Sequence, residues 1–171
     1  PFVTIPSPTF AVSVDPGELH FNAAHFITFD NSCENLHGHN FHARIDARGD
    51  NDADDLVVDF VLLTRLATGI CAGLNDKVLL PANSVVVNIV QHDNMVHVSS
   101  YDKKFMLPED NCYLLPVSNT TAEMLAWYIS ERLLEKLRQH AAATNISELE
   151  IAVEEADRQW GVCRRMLKHD K

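Results

Sequence analysis

Cys33-Glu34-Asn35-Leu36-His37-Gly38-His39 sets two histidines two residues apart, with a cysteine four residues before the first. A third histidine, His25, ends the run Phe21-Asn22-Ala23-Ala24-His25 just upstream. Along a β-strand, residues i and i+2 point to the same face. A strand beginning at His37 therefore offers two imidazoles to one metal ion, and His25 on a neighbouring antiparallel strand supplies a third. Three histidines with one open position is the usual setting of a catalytic zinc, whereas structural zinc is closed by four ligands rich in cysteine. Nitrogen donors suit zinc best, although iron, copper or nickel also take such sites. Cys33 has two readings: a fourth ligand, or a thiol beside the metal that acts as nucleophile or base. Spacing alone leaves both open.

Working outward, Glu18 to Phe29 alternates polar and apolar residues as a strand, with Leu19, Phe21, Ala23 and His25 on one face. His39 to Arg48 is a second strand, with Phe41, Ala43 and Ile45 on the face of His39. The acidic run Gly49 to Asp55 lacks the glycine and terminal glutamate of an EF-hand loop and reads as a solvated turn. Asp59 to Leu74 has helical spacing, with Asp59 as N-cap and Cys71 in the core. Val85 to Val90 and Met95 to Val98 form a hairpin, Lys103 to Leu107 adds a short strand, and Pro108 to Pro116 is a loop. A long helix runs from Thr121 to Gln139, and strands follow at Leu149 to Val153 and at 159 to 166. This order predicts one α+β domain over residues 1–171, with a mostly antiparallel sheet and helices on one face.

The chain has 171 residues and a formal charge of −10, with 14 Lys and Arg against 24 Asp and Glu. That balance argues against a nucleic-acid surface, which is basic, but leaves room for a locally positive pocket. No apolar run approaches the roughly 20 residues that span a bilayer, and Pro1 to Phe10 lacks the pattern of a signal peptide. The cysteines Cys33, Cys71, Cys112 and Cys163 form no C-x-x-C pair. A cytoplasmic protein with free thiols is expected. His20, His42, His92, His97, His140 and His169 are read as structural.

Two further features bear on chemistry. Thr120, followed three residues later by Glu123, reads as a capping box. Glu155 continues the inward face of Leu149, Ile151 and Val153, where a buried carboxylate needs compensating hydrogen bonds. A carboxylate accepts two parallel N–H bonds from a planar fork, and the N2/N3 edge of a pterin or guanine presents one.

Taken in order, Phe21-x-Ala-Ala-His25, Cys33-x3-His37-Gly38-His39-Asn40-Phe41, Thr121-Ala122-Glu123 and Val153-x-Glu155 resemble the 6-pyruvoyl-tetrahydropterin synthase and 6-carboxytetrahydropterin synthase family. The four-residue step from Cys33 to His37 is similar to that of the bacterial 6-carboxytetrahydropterin synthases of queuosine biosynthesis. The resemblance implies a tunnelling fold: a four-stranded antiparallel sheet with two helices on one face, assembled as a homohexamer made of two trimers. It implies zinc on His25, His37 and His39, and a substrate like 7,8-dihydroneopterin triphosphate anchored by Glu155 with help from Thr121 and Glu123. It implies a lyase in which Cys33 is the general base and triphosphate leaves, giving a 6-carboxy- or 6-pyruvoyl-type tetrahydropterin. Side-chain cleavage to 6-hydroxymethyl-dihydropterin, and a non-catalytic pterin- or purine-binding protein, are the alternatives. One departure stands out. Where the family carries Leu-Asp-His to complete a relay with the cysteine, this chain has Leu74-Asn75-Asp76, so Asp76 takes the place of the relay histidine. Residues 84–116 look like an insertion carrying the hairpin.

Overall fold

The computed structural model describes residues 8–167; His169 lies outside them. Strands β1 (Phe10–Val14), β2 (His20–His25), the short pair β3 (Thr28–Phe29) and β4 (Ser32–Cys33), and β5 (His37–Gly49) precede helix α1 (Phe60–Leu74). Then come β6 (Lys77–Pro81), β7 (Asn88–His92), β8 (Met95–Ser100), β9 (Lys103–Pro108), β10 (Cys112–Leu115), α2 (Ala122–Gln139), β11 (Ile146–Ala156) and β12 (Gln159–Met166).

The central element is β5, long enough to pair twice along one edge. Its first half takes β2, from His25↔His37 to His20↔His42, and its second half takes β1, from Val14↔Ile45 to Phe10↔Gly49. Its other edge takes β11, which pairs onward with β12. All these pairings are antiparallel. The alternation read in the sequence sends Phe21, Phe41, Ala43, Ile45, Leu149, Ile151 and Val153 into one core with the apolar sides of both helices. Asp59 caps α1 by accepting from the Leu62 amide at 2.6 Å. Cys71 is a core thiol, pushed up to about 12 by burial. The opposite face of the sheet is polar; there Arg164 Nε donates to the buried Glu150 at 2.7 Å.

The sheet has seven strands rather than the four expected, and it is mixed rather than wholly antiparallel. Strand β6 joins β2 in parallel, and β10 joins β6 in parallel. Parallel neighbours need crossover connections; here β5 and α1 separate β2 from β6, and β7 to β9 separate β6 from β10. Such short apolar runs carry no alternation that would mark them as strands. The segment between β6 and β10 also differs from the expected hairpin. It is a three-stranded antiparallel sheet, β7-β8-β9. Its first turn places Asp93 and Asn94 at φ 51° and 59°, the left-handed pair that a two-residue hairpin turn requires and that Asp and Asn tolerate. The buried side of this sheet forms a second core in which Val87, Val96 and Val98 meet Phe26, Cys33 and Leu80. Neither described helix is long and apolar enough to cross a membrane.

Candidate active site

The β2–β5 register brings the three histidines together. His25 stands opposite His37, and His39 follows on the same face of β5. Their ring centroids lie 4.7 to 5.2 Å apart, all in edge-on arrangements. One ligand atom from each lies within 4.8 Å of the other two.

Backbone carbonyls fix two of the rings. His25 Nδ1 donates to the Thr120 carbonyl at 2.8 Å, and His37 Nδ1 donates to that of Asn35 at 2.7 Å. Each bond turns Nε2 toward the centre, the outer-shell arrangement that metal-bound histidines use. The Nε2 atoms of His25 and His39 are buried and have no hydrogen-bond partner. A buried polar atom without a partner costs about 1–3 kcal/mol, and a cation at the centre removes that cost for both. Burial, with smaller contributions from His37 and His39, lowers the His25 pKa to about 4 despite the opposing Thr120 bond. The imidazole is therefore neutral and lone-pair-bearing at pH 7. An all-nitrogen donor set fits a divalent zinc-type ion.

The α2 start differs by one residue from the expected capping box. Thr121 is the N-cap, its hydroxyl accepting from Met124 N at 3.4 Å, and Glu123 sits in the first turn. Thr120 is used otherwise: its hydroxyl donates to the Phe26 carbonyl at 2.7 Å while its own carbonyl holds His25. The two threonines tie the start of α2 to the end of β2.

Glu155 lies at a register shift in β11, between Glu154 and Ala156. One carboxylate oxygen is 3.7 Å from His39 Nε2 and the other 4.0 Å from His25 Nε2. Burial raises its pKa, opposed by His39 and His37. The same residue lines a cleft of about 340 Å³ with Ile27, Thr121, Glu123, Gln159 and Trp160. Glu155, Thr121 and Glu123 thus meet around one cavity that adjoins the triad. Its narrow side is backbone. At Gly161 a Cβ would fall 2.3 Å from Glu123 N and 2.4 Å from Ala122 C, so only glycine lets β12 approach the start of α2 this closely.

Cys33 and Asp76 lie apart from this constellation. Cys33 is 3% exposed and packed in the second core. Burial is the main cause that raises its thiol pKa, and its ionic neighbours are Asp102, Lys103 and Glu34. Asp76 is exposed, at φ 58°. Its amide donates to Asn22 O at 2.7 Å, and its carboxylate accepts from Asn75. It lines a different cleft with Asn22, Lys77 and Asn111, one that borders His39 from the other side. The residue that reasoning from sequence passed over is Glu34. Its carboxylate is 4.0 Å from His37 Nε2 and accepts from Ile27 N at 3.3 Å, with the side chain 36% exposed. The signal was an acid three residues before His37, masked by the thiol beside it.

The family model described as 6-pyruvoyl tetrahydropterin synthase matches residues 17–166. The chain belongs to that family, and membership supports a pterin-processing role. Two archaeal relatives are named "putative 6-carboxy-5,6,7,8-tetrahydropterin synthase". The one from Methanocaldococcus jannaschii is 29% identical over 151 residues, 88% of this chain and 92% of the relative. The one from Pyrococcus abyssi is 27% identical, covering 86% and 87%. Among solved structures, 6-pyruvoyltetrahydropterin synthase of Plasmodium vivax superposes with a TM-score of 0.88 at 27% identity, covering 94% of this chain and all of that one. Two further structures of the P. vivax enzyme, 26% identical, are catalytic-residue mutants in which a glutamate is replaced by alanine or cysteine.

Proposed function

We propose that this protein is a metal-dependent lyase acting on the side chain of 7,8-dihydroneopterin triphosphate or a close pterin, with Glu34 as its general base. The observation that carries this reading is the position of Glu34. It is a partly exposed carboxylate on the His37 side of the triad, with Glu155 on the His39 side, whereas Cys33 is sealed in a second core and held protonated by burial. The catalytic glutamate of the P. vivax enzyme supports the same choice.

His25, His37 and His39 would hold the ion, for which zinc fits best. When bound, it supplies Lewis-acid polarisation of the substrate's side-chain hydroxyls. Glu155 accepts the paired N–H donors of the aminopyrimidinone edge in a bidentate hydrogen bond, with Thr121 and Glu123 lining the same cleft. Glu34 then takes the proton of the C2′ hydroxyl. The C1′–C2′ bond breaks and its electron pair passes into the C6–N5 imine of the dihydropterin. The proton returns from Glu34 to C1′. The products are 6-hydroxymethyl-dihydropterin and a triphosphorylated two-carbon aldehyde. A single base that lends and recovers one proton suffices. A second reading, loss of triphosphate to a 6-carboxy- or 6-pyruvoyl-type product, is favoured by the names of the relatives. It moves more protons and calls for a relay such as Cys33 with Asp76, residues with no contact in this chain.

Mass spectrometry of the products formed from dihydroneopterin triphosphate tests the choice. The two-carbon fragment is expected, with turnover down about 100-fold or more in Glu34→Gln, the usual scale of a lost general base, and nearly unchanged in Cys33→Ala. Free triphosphate with a 6-carboxy- or 6-pyruvoyl-tetrahydropterin as the pterin product would establish the second reading. Activity lost in Cys33→Ala but kept in Glu34→Gln would return the base to the thiol.

A further inference from the structure

We propose that the inserted sheet β7–β9 is a positioning device for the Cys33–His37 loop, with Lys103 as its key contact. This sheet touches the loop at Cys33, Asn35 and Leu36. The Cys33 thiol is buried against it, flanked by Ser100 and Lys103. Lys103 Nζ donates to the Asn35 side-chain oxygen at 2.8 Å. Leu36 packs on the same core. Just before the loop, the rings of Phe26 and Phe105 stack with centroids 5.2 Å apart. Glu34, between these contacts, turns the other way, toward His37 of the triad.

The consequence runs through Asn35. Its side chain is held by Lys103 and its carbonyl orients His37 by accepting from Nδ1. Two hydrogen bonds, joined through Asn35, therefore link Lys103 to the His37 ring without a direct contact. On this view Cys33 is the foot by which the loop is seated in the insertion. Outer-shell partners of this kind fix ligand orientation, and their loss weakens metal binding. Lys103 is the informative position because its ammonium lies outside both cores and can be altered without opening a cavity.

The inference rests on the metal-site reading above, and its test separates the two. Lys103→Met keeps the stem and removes the donors; Lys103→Arg restores a cationic donor; Met106→Ser, on the outward side of β9 and 65% exposed, is the control. Three quantities are read: amide hydrogen exchange across residues 33–37 without metal, the rate at which a chelator strips zinc, and kcat against KM. Lys103→Met is expected to speed exchange in that segment and metal loss about threefold each, the scale of an exposed charge-assisted hydrogen bond. It should lower kcat by a similar factor with KM unchanged, while Lys103→Arg recovers most of all three and Met106→Ser matches wild type. Exchange and metal loss at wild-type rates in Lys103→Met overturn the positioning role. Wild-type protein that binds no zinc overturns the metal-site reading instead, and the exchange measurement still decides whether Lys103 holds the loop.

Discussion

Substituting Gly161 by alanine probes how the cleft proposed to take the pterin is built. The added Cβ would lie 2.3 Å from Glu123 N, 2.4 Å from Ala122 C and 2.7 Å from Ala122 Cβ. Carbon atoms pack at about 3.5–4.0 Å, so β12 and the first turn of α2 must separate by about 1 Å. Two of the three atoms are backbone, and no rotamer change relieves them. Overpacking of this kind costs about 1–3 kcal/mol, and each kcal/mol lowers Tm by roughly 2–4 °C in a chain of this size. The turn that moves carries Thr121 and Glu123, which share the cleft with Glu155. A displacement of about 1 Å is a large part of a hydrogen bond's tolerance, so pterin affinity should fall about tenfold or more. Thermal unfolding gives the first quantity and titration followed by pterin fluorescence the second. An alanine variant with unchanged Tm and unchanged affinity would refute the claim that β12 backbone bears on the start of α2.

Three other outcomes follow from the same geometry. Glu155→Gln should weaken pterin binding about tenfold, read by the same titration, while metal analysis shows the zinc content intact; unchanged affinity removes Glu155 as the anchor. Thr120→Val deletes the donor to the buried Phe26 carbonyl and should cost about 1–3 kcal/mol in denaturant unfolding, with Thr120→Ser recovering most of it. The metal-free protein should lose stability on acidification. His25 titrates at about 4 when folded and near 6.5 when unfolded, so the unfolded chain binds the extra proton between these values. Stability is complete above pH 6.5 and falls as pH drops to 4, by up to about 3 kcal/mol at about 1.4 kcal/mol per pKa unit. A flat profile over that window would contradict the burial of a neutral His25.

The ligand triad was legible because it is local. Two histidines at i and i+2 and a third on the next strand need only a strand periodicity to converge, and the β2–β5 register supplies it. Glu155 was legible as a carboxylate continuing an apolar face. What escaped depended on contacts that sequence spacing does not encode. The expected Thr120 cap fails by one residue, because the Thr120 hydroxyl has a competing acceptor in Phe26, far away in sequence. Strands β6 and β10 escaped because parallel pairing leaves no alternation. Strand β1 was unmarked because its partner is the far half of β5. The different settings of Cys33 and Glu34 depend on which of two adjacent residues is buried under β8 and β9, a contact far away in sequence.

The β2–β5 ladder also bears on how the site is assembled in time. All three ligands lie between His25 and His39, so bringing them together closes a loop of about a dozen residues, which costs little entropy. Thr120 and Glu155 arrive from the other end of the chain and must wait for α2 and β11. During synthesis, a nascent chain that has emerged only through β5 already presents the full nitrogen donor set. On the metal-site reading proposed above, an ion captured at that stage would staple the first hairpin and favour its register, since binding free energy at such a site is also folding free energy. Loading would then be a step of folding, completed before the cleft around Glu155 exists to obstruct it.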